Sequence, residues 1–164
     1  MSIVLDILRT YRAPRAVLTR RMSGPPREDR ALACLMAACG LIFVAQWPRL
    51  SREAVLDPSI ALDARLAGAL FAWLMVMPLV LYGLGLLVLL LARGLGRRLT
   101  GFQVRMALFW SLLATVPLWL LAGLAAGFAP GPAFPLLSTL ALGLVAVFTG
   151  AGILAAPKTE EGVA

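Results

Sequence analysis

Glu53, Asp57 and Asp63 are the carboxylates of the stretch 49–65, RLSREAVLDPSIALDAR. Two of them held close together is what general acid–base chemistry would need. Arg49, Arg52 and Arg65 stand among them, so the stretch reads as a solvated ion-pair network and not as a catalytic dyad. The chain has no His, which removes the commonest general base and metal ligand. Cys34 and Cys39 lie five residues apart in one apolar run. On a helix they point in different directions and cannot close a disulfide within it. Ser111, Thr115, Ser138, Thr139 and Thr149 have no base nearby in sequence, so each is read as bonding a helix carbonyl or a neighbouring helix. No catalytic, cofactor-binding or metal-binding residue emerges, and the chain reads as a non-enzyme.

Arginine is the other chemistry on offer. Fourteen of the 15 basic residues are Arg, a bias that with abundant Ala, Leu and Gly fits a GC-rich bacterial genome. Arg12, Arg15, Arg20, Arg21, Arg97 and Arg98 are the candidate contacts, for lipid headgroups or for a partner protein. Gly94-Leu95-Gly96 before Arg97-Arg98 lacks the preceding strand of a phosphate loop. Ile3, Val4, Ile7, Leu8 and Tyr11 recur at helical spacing with Asp6, Arg9 and Arg12 opposite, and Pro14 starts a second short helix. Two readings fit this basic amphipathic segment, 1–30: it lies on headgroups, or it docks a partner. Gly24-Pro25-Pro26 breaks the chain after it.

The elements that carry these residues are apolar runs free of charge. With 61% hydrophobic and 14% charged residues and a mean hydropathy of +0.91, a chain of this size could not hide its apolar surface in one soluble core. The expected fold is all-α: a polytopic bundle of four transmembrane helices over 31–157, with spans at about 31–48, 66–92, 106–128 and 134–156. The first run is the shortest, and an interfacial hairpin is its alternative. It is expected to stop at Gln46-Trp47-Pro48, an aromatic interface anchor before a helix breaker. Met36-Ala37-Ala38-Cys39 resembles a lipoprotein cleavage site, but the apolar run continues past it, so the segment is read as a retained helix. Twelve basic residues fall in 1–30, 93–105 and 158–164, and three in 49–65. That asymmetry places both termini in the cytoplasm of a bacterial inner membrane. It also assigns the net charge of +7 to headgroups and topology, with the bilayer and other membrane proteins or a second copy as partners, and no nucleic acid.

Pro78 in the second span and Pro117 in the third both follow an Ala-Leu-Phe triplet and should kink their helices, a pattern that would suit a small transporter or channel component. Gly123 with Gly127, the row Ala64, Gly68 and Ala72, and the pair Ala146 and Gly150 would let helix backbones approach closely.

The stretch YRAPRAVL at 11–18 and REDRAL at 27–32 resemble the start of bacterial YIP1-family membrane proteins. FVAQWPR at 43–49, LDPS at 56–59, LDARL at 62–66 and ALFW at 107–110 are similar to its alphaproteobacterial branch. The resemblance implies a helical membrane scaffold, commonly with one span more than the four read here. Eukaryotic relatives serve Rab GTPases and vesicle traffic, machinery that bacteria lack, and no functional residue carries over.

Overall fold

The computed structural model describes residues 3–23, 25–128 and 131–156. The described chain is all-helical and forms one helical bundle. Gly24, Ala129 and Pro130 of the two expected breaks, and the tail expected at 158–164, lie outside the described residues.

Two short helices come first, α1 at Ile3–Arg12 and α2 at Pro14–Met22. Pro14 occupies the first turn of α2, where its missing N–H costs nothing. Helix α3 follows at Glu28–Leu56, with Glu28 and Asp29 in its first turn, where the helix dipole favours acids. The expected stop at Pro48 does not occur. The helix runs through Pro48 for two further turns, so the interfacial-hairpin alternative for the first run also falls. Two contacts hold the extension. Arg49 donates to Gln46 Oε1 at 3.2 Å and pairs with Glu53 at 2.6 Å, one helical turn on.

Helix α4 (Leu62–Phe71) passes through a π-helical stretch at Ala72–Val76 into α5 (Met77–Gly94). The three form one rod of 33 residues. The Met77 amide reaches back to the Ala72 carbonyl. That wider turn sits just where the Pro78 ring would otherwise press on the carbonyl of Leu74. Proline in the second span is thus absorbed by a π stretch.

Helix α6 (Gly101–Ala114) begins on a capping box: Gln103 N–H donates to the Thr100 hydroxyl while the Gln103 side chain accepts from Thr100 N–H. Helix α7 (Val116–Phe128) continues it after a bend of 43° at Thr115. Pro117 cannot donate to the Leu113 carbonyl, and the Leu118 amide turns to Thr115 O at 3.0 Å. The helix expected as the third span is therefore bent at its proline, as the sequence suggests. Helix α8 occupies Ala133–Ala155.

Helices α3, α4–α5 and α8 are each long and apolar enough to cross a membrane, and the bent pair α6–α7 makes a fourth if it counts as one span. Helix α6 is the axis of the bundle: every residue from Phe102 to Ala114 except Arg105 is buried, against α1, α2, α3, α5 and α8. Leu79, Leu86 and Leu90 of α5 and Leu136 and Leu142 of α8 point outward, an apolar exterior of the kind that lipid tails solvate.

Of the small-residue rows, one is used within the chain. A Cβ on Gly123 would lie 1.8 Å from the Ala45 carbonyl oxygen, and one on Gly127 would lie 2.5 Å from Pro48 Cβ. Helices α3 and α7 cross in backbone contact there. Gly68 and Gly150 have nothing near them, so their rows face outward.

Candidate functional site

Asp6 is the only acid before Glu28, and the fold buries it. Helix α1 lies on the bundle with Asp6 and Thr10 inward, while Ile3, Val4, Leu5 and Leu8 face out. The face that docks is mixed: Asp6 and Thr10 go in together with Ile7 and Tyr11, while Arg9 and Arg12 of the expected polar side stay exposed. Thr10 donates to the Asp6 carbonyl at 2.8 Å and accepts from the Trp110 indole N–H at 3.0 Å. Tyr11 donates to the Ala114 carbonyl at 2.9 Å. That acceptor is the one the bend before Pro117 leaves without its usual helical donor. Burial pushes the Tyr11 phenol above its ordinary range, which keeps it a donor. Its ring also meets Phe148 of α8 edge-on, at 5.5 Å between centroids.

Helix α2 closes the arrangement. Arg20 reaches Asp6 Oδ1 at 2.6 Å and Arg21 reaches Oδ2 at 2.8 Å. The Arg21 guanidinium stacks on the Trp110 ring with its carbon 3.4 Å from the centroid, a cation–π contact inside the protein. Burial alone would raise the Asp6 pKa, but the hydrogen bonds and charges of Arg20 and Arg21 outweigh it and hold the carboxyl below its ordinary range. Burial draws the Arg21 guanidinium the other way, below its usual value, with Asp6 opposing. Arg21 Nε is buried without a partner. Asp6, Arg20, Arg21, Ser23, Arg30 and Met106 together line a cleft of about 290 Å³. It is a polar recess among helices that are otherwise apolar.

The six candidate arginines end in four settings. Arg20 and Arg21 converge on Asp6; Arg12 and Arg15 are exposed on α1 and α2. Arg97 donates to the Ile153 carbonyl at 3.1 Å, and Thr19 donates to Ala155 O at 3.1 Å, so both close the C-terminal turn of α8. Arg98 is exposed on the connection between α5 and α6. Sequence reasoning missed Asp6, Arg30 and Trp110 as parts of one site. The available signal was Asp6 with Thr10, four apart on a single stripe of a helix whose charge is otherwise basic.

Two further charged groups are structural. Arg105 pairs with Glu28, tying α6 to the start of α3, and lies 5.9 Å from the Tyr82 ring. In the stretch 49–65, Asp57 accepts from the Ser59 hydroxyl at 2.6 Å and pairs with Arg65 at 3.0 Å, while Glu53 pairs with Arg49. Ser59 first, then Arg65, holds the Asp57 carboxyl below its ordinary range. Asp57 and Glu53 are joined through Arg65, the network their sequence spacing suggested. An apolar groove of about 790 Å³ lies between α3 and α7, lined by Val44, Trp47, Leu120, Leu124 and Phe128 among others. Among the described residues no cluster of His, Cys, Asp and Glu could hold a metal ion. No protein-family model, curated protein or solved structure matches the chain.

Proposed function

We propose that this chain is a non-enzymatic scaffold of a bacterial inner membrane, of the YIP1 type, that organises other membrane proteins or copies of itself. The opening segment before the first long helix and the closing segment after the last one face the cytoplasm in this reading, by the asymmetry of basic residues between the two sides. The observation that carries the reading is the docking of α1. Asp6 and Thr10 are bonded inside the bundle and Ile3, Val4, Leu5 and Leu8 are turned out, so the N-terminal helices pack as part of the same body as the long apolar helices. What remains for a partner is the exposed basic edge, Arg12 and Arg15, and the outward row Ala64, Gly68 and Ala72.

A photo-crosslinker placed at Arg12 or Arg15 in native membranes should trap the same few proteins, and R12E with R15E should abolish the adducts. Adducts that are only lipid would sink the scaffold reading.

A second reading, a small transporter or channel component, draws on the π-helical stretch before Pro78 and the bend before Pro117 in adjacent spans. It requires solute flux in liposomes that changes rate in Pro117→Ala. Flux of that kind, without trapped partners, would favour it.

A further inference from the structure

We propose that the cleft between α1, α2 and the start of α3 is a binding site for one phosphate group, with Arg20, Arg21 and Arg30 as its cations. Three guanidinium groups and one carboxylate line it, which leaves two positive charges in excess. Asp6 takes one Nη2 from each of Arg20 and Arg21, and this spends one charge on fixing both arms. Trp110 fixes Arg21 from below by stacking. Two of the three cations are thus held in place before any ligand arrives, and preorganisation of that kind lowers the cost of binding. Arg30 is exposed at the rim and makes no ion pair among the described residues. Ser23 donates its hydroxyl to the Thr19 carbonyl at 2.7 Å, so donors to a ligand come from the arginines. Guanidinium groups match the oxygens of a phosphate in pairs, and an excess of two charges suits a monoester or diester.

The volume, about 290 Å³, admits a phosphate with a small headgroup and falls below that of sites for larger ligands. Phosphate of an anionic phospholipid and free inorganic phosphate share the chemistry; the lipid source rests on the membrane reading above.

The test is native mass spectrometry of the full chain in mild non-ionic detergent, titrated separately with phosphatidylglycerol, phosphatidylcholine and inorganic phosphate. Phosphatidylglycerol should bind at one saturable site, and Arg30→Gln should weaken it about tenfold, the value of one charge-assisted hydrogen bond. Arg9→Gln, exposed on the same basic segment but outside the cleft, should change it by less than about twofold. Arg21→Gln risks misfolding because it also breaks the Asp6 pair, so Arg30→Gln is the deciding variant. Saturable inorganic phosphate with the same Arg30 dependence, and no preference for phosphatidylglycerol over phosphatidylcholine, would uphold the cleft and name free phosphate as the source. Phosphatidylglycerol affinity untouched by Arg30→Gln, or lowered as much by Arg9→Gln, overturns the site. The scaffold reading stands or falls separately, by crosslinking, and neither result decides the other.

Discussion

Asp6 is held by two cations from the next helix, and its own backbone carbonyl accepts from Thr10. Removing its charge in Asp6→Asn leaves Arg20 and Arg21 facing each other. Arg20 is 45% exposed along its side chain, so water screens part of the loss, and a destabilisation of about 1–2 kcal/mol is expected. Thermal unfolding in detergent measures it. The folded pKa of Asp6 lies below its ordinary value of 3.8, so its contribution is fully present above that value and disappears as pH falls through the lower folded one. The unfolding temperature should therefore lose a component below about pH 4 that is missing from Asp6→Asn. Identical acid profiles for the two proteins would show that the pair adds nothing. The sequence placed Asp6 on the polar side of an amphipathic helix correctly. It could not say that Asp6 faces protein while Arg9 and Arg12 of the same side stay outside, because an acid on a polar stripe looks the same whether its partner is water or a pair of arginines from the next helix.

Elements were legible where a local pattern decided them and illegible where a neighbour did. Gly123 and Gly127, four apart, gave a close helix contact from spacing alone, yet Gly68 has the same spacing and touches nothing. The difference is set by which face meets α3, a fact of tertiary structure. Gly123→Ala puts a methyl carbon on a backbone oxygen that cannot rotate away, and should cost about 3 kcal/mol by forcing α3 and α7 apart. Gly68→Ala meets open space and gains helix propensity, so it should be neutral or slightly stabilising. Equal effects of the two in thermal unfolding would refute the packing argument. Pro48 differs from its expectation for the same reason: a proline usually ends a helix, but α3 runs past it packed on α7, where Gly127 meets Pro48. Pro117 behaved as expected, and the bend frees the carbonyl that Tyr11 takes. Tyr11→Phe should cost about 1 kcal/mol in the native chain. Combined with Pro117→Ala, which restores a donor to the broken turn, its cost should change. A double-mutant cycle reads that coupling, and additivity within about 0.3 kcal/mol would mean that the bend and the tyrosine are independent.

At the scale of the whole molecule, three long helices and one bent pair, if each crosses, make four passes, and an even number returns the chain to the side on which it began. The basic residues then name that side. Arg12 and the connection holding Arg97 and Arg98 should face the cytoplasm, and the stretch with Asp57 and Ser59 should face away. The alternative is physically distinct: if the bent pair α6–α7 turns back at Thr115 without crossing, three passes remain, and segments before and after it lie on the same face. Single cysteines separate the two, introduced as Arg12→Cys, Ser59→Cys, Leu95→Cys and Pro132→Cys in a chain whose Cys34 and Cys39 are replaced by Ala. Four passes with the N-terminal segment inside predict that a membrane-impermeant maleimide added to intact cells labels Ser59→Cys and Pro132→Cys, and reaches the other two only after lysis. Three passes with the same start predict that Pro132→Cys joins Leu95→Cys behind the membrane. The buried state of α6 is compatible with either path, since protein surrounds it on every side, whereas α7 leaves Leu121, Leu124 and Phe128 exposed. Those three residues need lipid to cover them if α7 crosses, and it is the reactivity at position 132 that decides whether it does.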